Sequence, residues 1–198
     1  MINIVDYEGG NLFSVVKAFE YLGATPKVIE TPDEYESGKI VIPGVGAFGD
    51  AMIELNKRGF PEFVHEKVKQ GVELLGICVG AQVLFSASEE SPSITGLSFF
   101  EESVRRFSPG QKIPHMGWNT LTRNQDNALI KDVADGGYVY FAHSFYVPVN
   151  NAPYEVMHCE YSNPFTAVVS QDNVYGVQFH PEKSQNVGMQ ILKNFIEL

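Results

Sequence analysis

Cysteine is scarce in this chain, two in 198 residues, which argues against a disulfide framework and predicts a reducing, cytoplasmic setting. Basic charge is scarce as well. Fourteen Lys and Arg stand against 24 Asp and Glu, a formal net charge of −10, so the electrostatic footprint of a nucleic-acid binder is missing. The densest basic spot is Arg105-Arg106, read as a solvated strand edge. No apolar run approaches the roughly 20 residues needed to cross a bilayer. Met1-Ile2-Asn3-Ile4-Val5-Asp6 lacks the basic flank and apolar length of a leader peptide. Internal repeats, linkers and low-complexity stretches are also lacking. No histidine pair has zinc-site spacing, and His158 and Cys159 would face opposite sides of a strand, so neither metal nor cofactor is expected. What remains is 44% hydrophobic, enough for one domain, residues 1–198, with a sizeable core.

The first half alternates short apolar runs with helical spacing. Strands are predicted at Ile2 to Val5, Lys27 to Ile29, Lys39 to Ile42 and Val72 to Ile77. Between them Leu12, Val15, Val16, Phe19 and Leu22 recur at helical intervals, and Asp50 to Lys57 and Pro61 to Gln70 read as helices. This rhythm calls for a parallel sheet covered on both faces. After residue 96 strands and turns take over: Leu97 to Phe107, Asn119 to Thr122, Tyr138 to Val147, Tyr154 to Tyr161 and a hairpin at Gln171-Asp172-Asn173. Val187 to Ile196 closes as an amphipathic helix. The fold class is α/β, one domain with a mixed sheet.

The chemistry is concentrated at Gly76-Ile77-Cys78-Val79-Gly80. A nucleophile between glycines, where a strand meets an apolar segment (Ala81 to Phe85) able to start a helix, has the pattern of a nucleophile elbow. It would lift the thiol to the carboxyl end of the sheet, where α/β folds place their sites. Val174 to Phe179 reads as a strand ending at His180-Pro181-Glu182. Two residues apart on extended chain, His180 and Glu182 point the same way, so the carboxylate can orient the imidazole as the third member of a triad. Cys159 is read as a packed hydrophobe, His65 as a helix-surface residue and His158 as a strand residue. His115 is either structural or at a partner surface.

With Gln82, the elbow completes Gly76-x-Cys78-x-Gly80-x-Gln82, and the chain resembles the class I, triad-type glutamine amidotransferases. Within that family it is most similar to the glutaminase subunits that serve imidazole glycerol phosphate synthases. The segments carrying the likeness are Asp6-Tyr7-Glu8-Gly9-Gly10-Asn11-Leu12, Pro43-Gly44-Val45-Gly46-Ala47-Phe48-Gly49, His115-Met116-Gly117-Trp118-Asn119, Tyr140 to Tyr146 and Gly176 to Ser184. The resemblance implies a mostly parallel mixed sheet flanked by helices, with the cysteine elbow at its centre. It departs from the usual pattern at Val79 and Ala81, apolar replacements that should be tolerated, and at Glu8, acidic where uncharged residues are common.

The resemblance implies Cys78, His180 and Glu182 as catalytic residues and a γ-glutamyl thioester as intermediate. Oxyanion donors would be the backbone N–H groups of Val79 and, from the Pro43–Gly46 turn, Val45. The two glycines beside Val45 would allow a peptide flip there, making the turn a switch. Substrate would be held by Gly44, Gln82 and the backbone of His143, Ser144 and Phe145. Asn11, Trp118, Tyr140 and Lys183 would meet a partner, a (β/α)8-barrel cyclase subunit that receives the ammonia. Three readings stay open on the sequence: this subunit, a paralogue feeding a different synthase, and a binding module that kept the fold and lost catalysis. A cysteine peptidase of similar fold is disfavoured by Gln82 and the His-Pro-Glu arrangement.

Overall fold

The computed structural model describes residues 1–9, 11–108, 110 and 112–198; Gly10 of the N-terminal segment lies outside the described residues. The elements run β1 (Ile2–Val5), α1 (Leu12–Tyr21), β2 (Pro26–Ile29), β3 (Lys39–Ile42), α2 (Phe48–Lys57), α3 (Phe60–Lys69), β4 (Leu74–Ile77) and α4 (Val79–Gln82). Then come β5 (Phe85–Ser88), β6 (Phe100–Arg106), β7 (His115–Thr120), β8 (Thr122–Arg123), β9 (Tyr138–His143), β10 (Phe145–Pro148), β11 (Glu155–Glu160), β12 (Pro164–Gln171), β13 (Val174–Val177) and α5 (Gln185–Glu197). The main sheet has the order β2-β1-β3-β4-β13-β12-β10-β6-β5, with β11 on β12 and β8 on β11; β7 and β9 form a separate pair.

The first five strands of that order, β2 to β13, are all parallel. Every residue of β1, β4 and β13 is buried, the signature of strands covered on both faces, which is why they read as unbroken apolar runs. Each fully buried Val, Leu or Ile there contributes about 1.5–3 kcal/mol of transfer free energy. Helix α1 buries Val15, Ala18 and Phe19 and packs against β1, β2 and α5, while α2 packs against α3 and α4. Beyond β13 the pairings to β12, β10 and β6 are antiparallel. Among the described residues no helix is long and apolar enough to cross a membrane.

Four expectations need correction. The apolar segment Ala81 to Phe85 does not extend the elbow helix. Helix α4 is a single turn, and Phe85 opens β5. The carbonyls of Val83 and Leu84 accept N–H groups from Leu97, Phe99 and Phe100, so tertiary pairing takes the acceptors that a longer helix would use. The run Tyr138 to Val147 is two strands in different sheets, split at Ser144, whose carbonyl accepts the Phe107 N–H. The strand predicted at Asn119 to Thr122 is instead β7, His115–Thr120, paired with β9 so that His115 lies opposite His143, and the separate β8. Arg105 and Arg106 are exposed as expected, but β6 lies between β10 and β5 and is not an edge.

Candidate active site

The carboxyl ends of four parallel strands deliver the candidate residues to one place. β4 leads into Cys78, β3 into the Pro43–Gly46 turn, β13 into Gln178, His180 and Glu182, and β1 into Tyr7 and Asn11. Parallel α/β sheets open their crevices at this end. Cys78 sits at φ 55°, ψ −112°, a conformation that a side-chain-bearing residue rarely adopts and that persists only where surrounding structure enforces it. The flanking glycines serve close packing. A methyl group at Gly80 would collide with the Ile42 carbonyl, and one at Gly76 with the Gly80 carbonyl. They let the elbow sit directly on the sheet, while the strained residue is the candidate nucleophile itself.

His180 and Glu182 are together, by a route other than the predicted extended chain. β13 ends at Val177, and Pro181–Lys183 form a 3-10 turn with His180 at its N-cap. Within that turn His180 Nδ1 lies 3.0 Å from Glu182 Oε1, both side chains almost fully buried. This leaves Nε2 for the Cys78 thiol, which is within hydrogen-bonding reach of the ring. Burial by itself lowers the His180 pKa, but Cys78 and Glu182 outweigh it and raise the value to about 10. The imidazole is therefore a cation at neutral pH. The His180 backbone is held in a closed ring of three bonds: His180 N–H donates to the Tyr140 carbonyl (2.9 Å), Tyr140 N–H to Ser184 Oγ (2.9 Å) and the Ser184 hydroxyl to the His180 carbonyl (2.6 Å).

Both candidate oxyanion donors are engaged. Val79 N–H donates to the Gly44 carbonyl at 3.4 Å and Val45 N–H to the Gly9 carbonyl at 3.3 Å. The Gly44 carbonyl and the Val45 N–H belong to one peptide plane. Next to this turn lies Tyr7, buried, its hydroxyl without a hydrogen-bond partner among the described residues. A methyl at Gly44 would strike that hydroxyl. Burial first, then the Cys78 and Asp6 charges, push the Tyr7 pKa well above the ordinary phenol range.

Over Cys78 opens a cleft of about 160 Å³ whose walls include Val45, Val79, Gln82, Glu90, Met116 and the segment Ala142–Phe145. His143, Ser144 and Phe145 thus line it as expected, with Gln82. Gly44 does not; it lines a smaller crevice of about 10 Å³ with Asn11, Val45, His180 and Glu182. The His143 side chain is spent inside the protein. Its Nδ1–H donates to the Phe145 carbonyl (2.8 Å), so its Nε2 accepts from His115 Nδ1 (3.0 Å). His115 Nε2 then accepts from the Asn119 amide at 3.3 Å. A carbonyl can only accept, so this anchor fixes both tautomers. Burial lowers His115 to about 4, and burial with the neighbouring charges of His115 and His180 lowers His143 to about 3. Both rings are neutral at pH 7, and His115 is structural.

Trp118, Tyr140 and Lys183 form one cluster: the Trp118 and Tyr140 rings meet edge-on at 6.1 Å, and Lys183 Nζ lies 6.0 Å over the Tyr140 ring. Trp118 is 46% exposed and is not a core aromatic. Asn11 lines the crevice beside His180 and Glu182. His65 is exposed and stacks on Phe99; His158 pairs with the buried Glu155 at 2.9 Å. Cys159 is buried, and burial pushes its thiol up to about 12. Sequence reasoning missed Glu90, Gln178 and Ser184. Glu90 is the cleft's carboxylate, and its Oε2 accepts the Phe48 N–H at 2.7 Å.

This geometry meets the comparisons with known proteins. Residues 3–198 match the family described as Glutamine amidotransferase class-I. A protein of Caldanaerobacter subterraneus named "Imidazole glycerol phosphate synthase subunit HisH" is 44% identical over 199 residues, covering 100% of this chain and 98% of that relative. A Desulfitobacterium hafniense protein of the same name is 45% identical over 98% of this chain and 93% of its own length. Among solved structures, one described as a glutamine amidotransferase superposes with a TM-score of 0.78 at 18% identity, over 99% of this chain and 97% of the other. The structure of PurLQS from Thermotoga maritima gives 0.76 at 20%, with coverages of 99% and 97%; these two establish the fold. A cysteine elbow facing a His-Glu pair, carried on a full-length match, has one consistent explanation: the chain belongs to the class-I glutamine amidotransferase family.

Proposed function

We propose that this chain is the glutaminase subunit of an imidazole glycerol phosphate synthase. Residues 1–198 act as one amidotransferase domain that hydrolyses glutamine to glutamate and ammonia for histidine biosynthesis, in a reducing cytoplasm. The observation that carries the reading is the end-to-end likeness to proteins of that name, 44% and 45% identical. The Cys78–His180–Glu182 geometry supports it independently.

Cys78, as the thiolate paired with protonated His180, attacks the side-chain amide carbon of glutamine, and the tetrahedral oxyanion collapses to a γ-glutamyl thioester as the C–N bond breaks. His180, already protonated, gives its proton to the departing ammonia, then takes one from the water that releases glutamate. Glu182 holds the ring and balances its charge. Glu90, the carboxylate of the cleft, faces the substrate's α-ammonium. The oxyanion turn is closed at rest, because both donors are bonded to carbonyls. One flip of the Gly44–Val45 peptide removes the acceptor from Val79 N–H and brings Val45 N–H round in its place. A missing donor costs about 3 kcal/mol of transition-state stabilisation, so the flip sets the resting rate.

Asn11 and the Trp118–Tyr140–Lys183 cluster dock on a (β/α)8-barrel cyclase subunit, forming a heterodimer. The crevice joining Asn11 to the triad, about 10 Å³, is roughly the room of one water, suited to ammonia leaving toward that partner. Glutamate release from glutamine is the test, for the chain alone and with the cyclase subunit and its ligand. Strong stimulation that Cys78→Ala abolishes is expected. Release indifferent to that partner would move the recipient elsewhere, and none under either condition would overturn the glutaminase.

A further inference from the structure

Gln178 has no part in the mechanism so far, yet it touches the nucleophile. β13 and β4 pair in parallel with Val177 opposite Ile77, so the next residues, Gln178 and Cys78, emerge side by side. Cys78 N–H donates to the Val177 carbonyl at 2.8 Å, which pins that register at the elbow. The Gln178 side chain is 4% exposed, and its Nε2 lies 3.8 Å from Cys78 Sγ.

Which end of this amide faces the sulfur follows from a chain of bonds that begins at a carbonyl. The Phe145 carbonyl can only accept, so Gln82 must turn its nitrogen toward it, at 3.0 Å. The other hydrogen of that nitrogen goes to Gln178 Oε1 at 2.9 Å. With its oxygen committed to Gln82, Gln178 has only its N–H₂ end to offer Cys78. The Phe145 carbonyl is itself braced by His143 Nδ1–H at 2.8 Å, and His143 by His115. A buried, fully directed donor is thus aimed at the atom that must become an anion.

We propose that Gln178 is a catalytic residue of this enzyme, whose side-chain N–H donates to the Cys78 thiolate and favours the charged nucleophile over the neutral thiol. A donor contributes more to a charged acceptor than to a neutral one, so the bond acts selectively on the reactive form. Gln82 and His143 are positioning residues for it. The inference rests on Cys78 being the nucleophile of the proposed glutaminase.

The experiment is the rate of Cys78 alkylation by iodoacetamide across pH, read by peptide mass on the full chain, with Gln178→Met and Gln178→Glu. Methionine keeps the volume and loses the donor; glutamate keeps the acceptor toward Gln82 and sets a negative oxygen on the sulfur. Alkylation at pH 7 should slow about tenfold in Gln178→Met, the scale of one hydrogen bond to a charged group, and further in Gln178→Glu. Both should recover at high pH. kcat for glutamine should fall by a larger factor than any rise in KM, part of which comes from freeing Gln82 in Gln178→Met. In the unmutated protein, the Gln178 side-chain amide resonance should shift as Cys78 is titrated, a readout that needs no variant to fold. A wild-type alkylation profile in Gln178→Met, or an amide resonance indifferent to the thiol, overturns the proposal. Alkylation needs no glutamine turnover, so a chain that fails to hydrolyse glutamine sinks the glutaminase reading and leaves this measurement to decide Gln178.

Discussion

The turn at His180 and the interior of the β7–β9 pair use the same side chain to opposite ends. Burial penalises the imidazolium in both places. At the turn, Cys78 and the Glu182 carboxylate overcome that penalty, and His180 is raised to about 10. In the β7–β9 pair no carboxylate among the described residues comes to the rescue. His115 is stacked between Phe141 at 4.8 Å and Tyr161 at 4.0 Å, its ring nitrogens meet an imidazole and an amide, and the two rings fall to about 4 and about 3. Depth alone therefore does not set the charge of a histidine here; the presence or absence of an anionic partner does. One site keeps a proton to give away, and the other keeps two tautomers fixed.

Removing the anion should break the contrast most sharply. In Glu182→Gln, kcat for glutamine should fall by roughly 10³–10⁴, as when a triad carboxylate becomes an amide. The His180 ring should then titrate below about 10 in NMR. An unchanged titration would mean that the carboxylate is not what separates the sites. The next effect is on stability. His115→Phe fits the aromatic surroundings but leaves His143 Nε2 without its donor, which should cost about 1–3 kcal/mol in urea unfolding. Its loss of turnover should be much smaller than that of Glu182→Gln.

The pH dependence sharpens the comparison because its two limbs belong to different sites. An unfolded histidine titrates near 6.5, as expected of free imidazole. Below that pH the unfolded chain binds protons that folded His115 and His143 refuse, so stability falls as pH drops from 6.5 toward about 4 and about 3. His180 has the opposite sign: its contribution is complete below 6.5 and is lost as pH rises through about 10. His115→Phe should flatten the acid limb of the urea midpoint, and Glu182→Gln the alkaline one. The smallest effect is expected at Trp118→Ala, within about 0.5 kcal/mol for the isolated chain because the ring is half-exposed. The same change should weaken docking of the proposed partner subunit by about 2 kcal/mol, measured by titration calorimetry.

The parallel strands and the elbow were legible because local pattern and tertiary role agree: buried on both faces, β4 and β13 show as apolar runs, and Gly76, Cys78, Gly80 and Gln82 lie within a few residues of one another. The end of α4 was not legible, since it is decided by N–H groups from Leu97 to Phe100 that capture the Val83 and Leu84 carbonyls just beyond it. Nor was the 3-10 turn at Pro181, where an alternating strand pattern ran past the true end of β13. Glu90 leaves no local signal, as its role depends on the cleft wall it joins. Gln178 is different: had the two glycine-bearing strands been aligned, Gly76 with Gly176, its place beside Cys78 would have followed by counting. The His115–His143 tautomers needed coordinates, because the carbonyl that fixes them belongs to the residue where one strand has ended and another begun.

The chain has a single tryptophan, and it stands at the surface, 46% exposed, against Tyr140. Its indole emission should therefore lie toward the red in the free chain and move to the blue when a partner covers it. The core contributes no second indole to blur that signal. Binding of the proposed partner subunit can be followed by light, with no label attached, on the same samples used for turnover. The same feature warns that tryptophan fluorescence is a poor gauge of whether this core is intact.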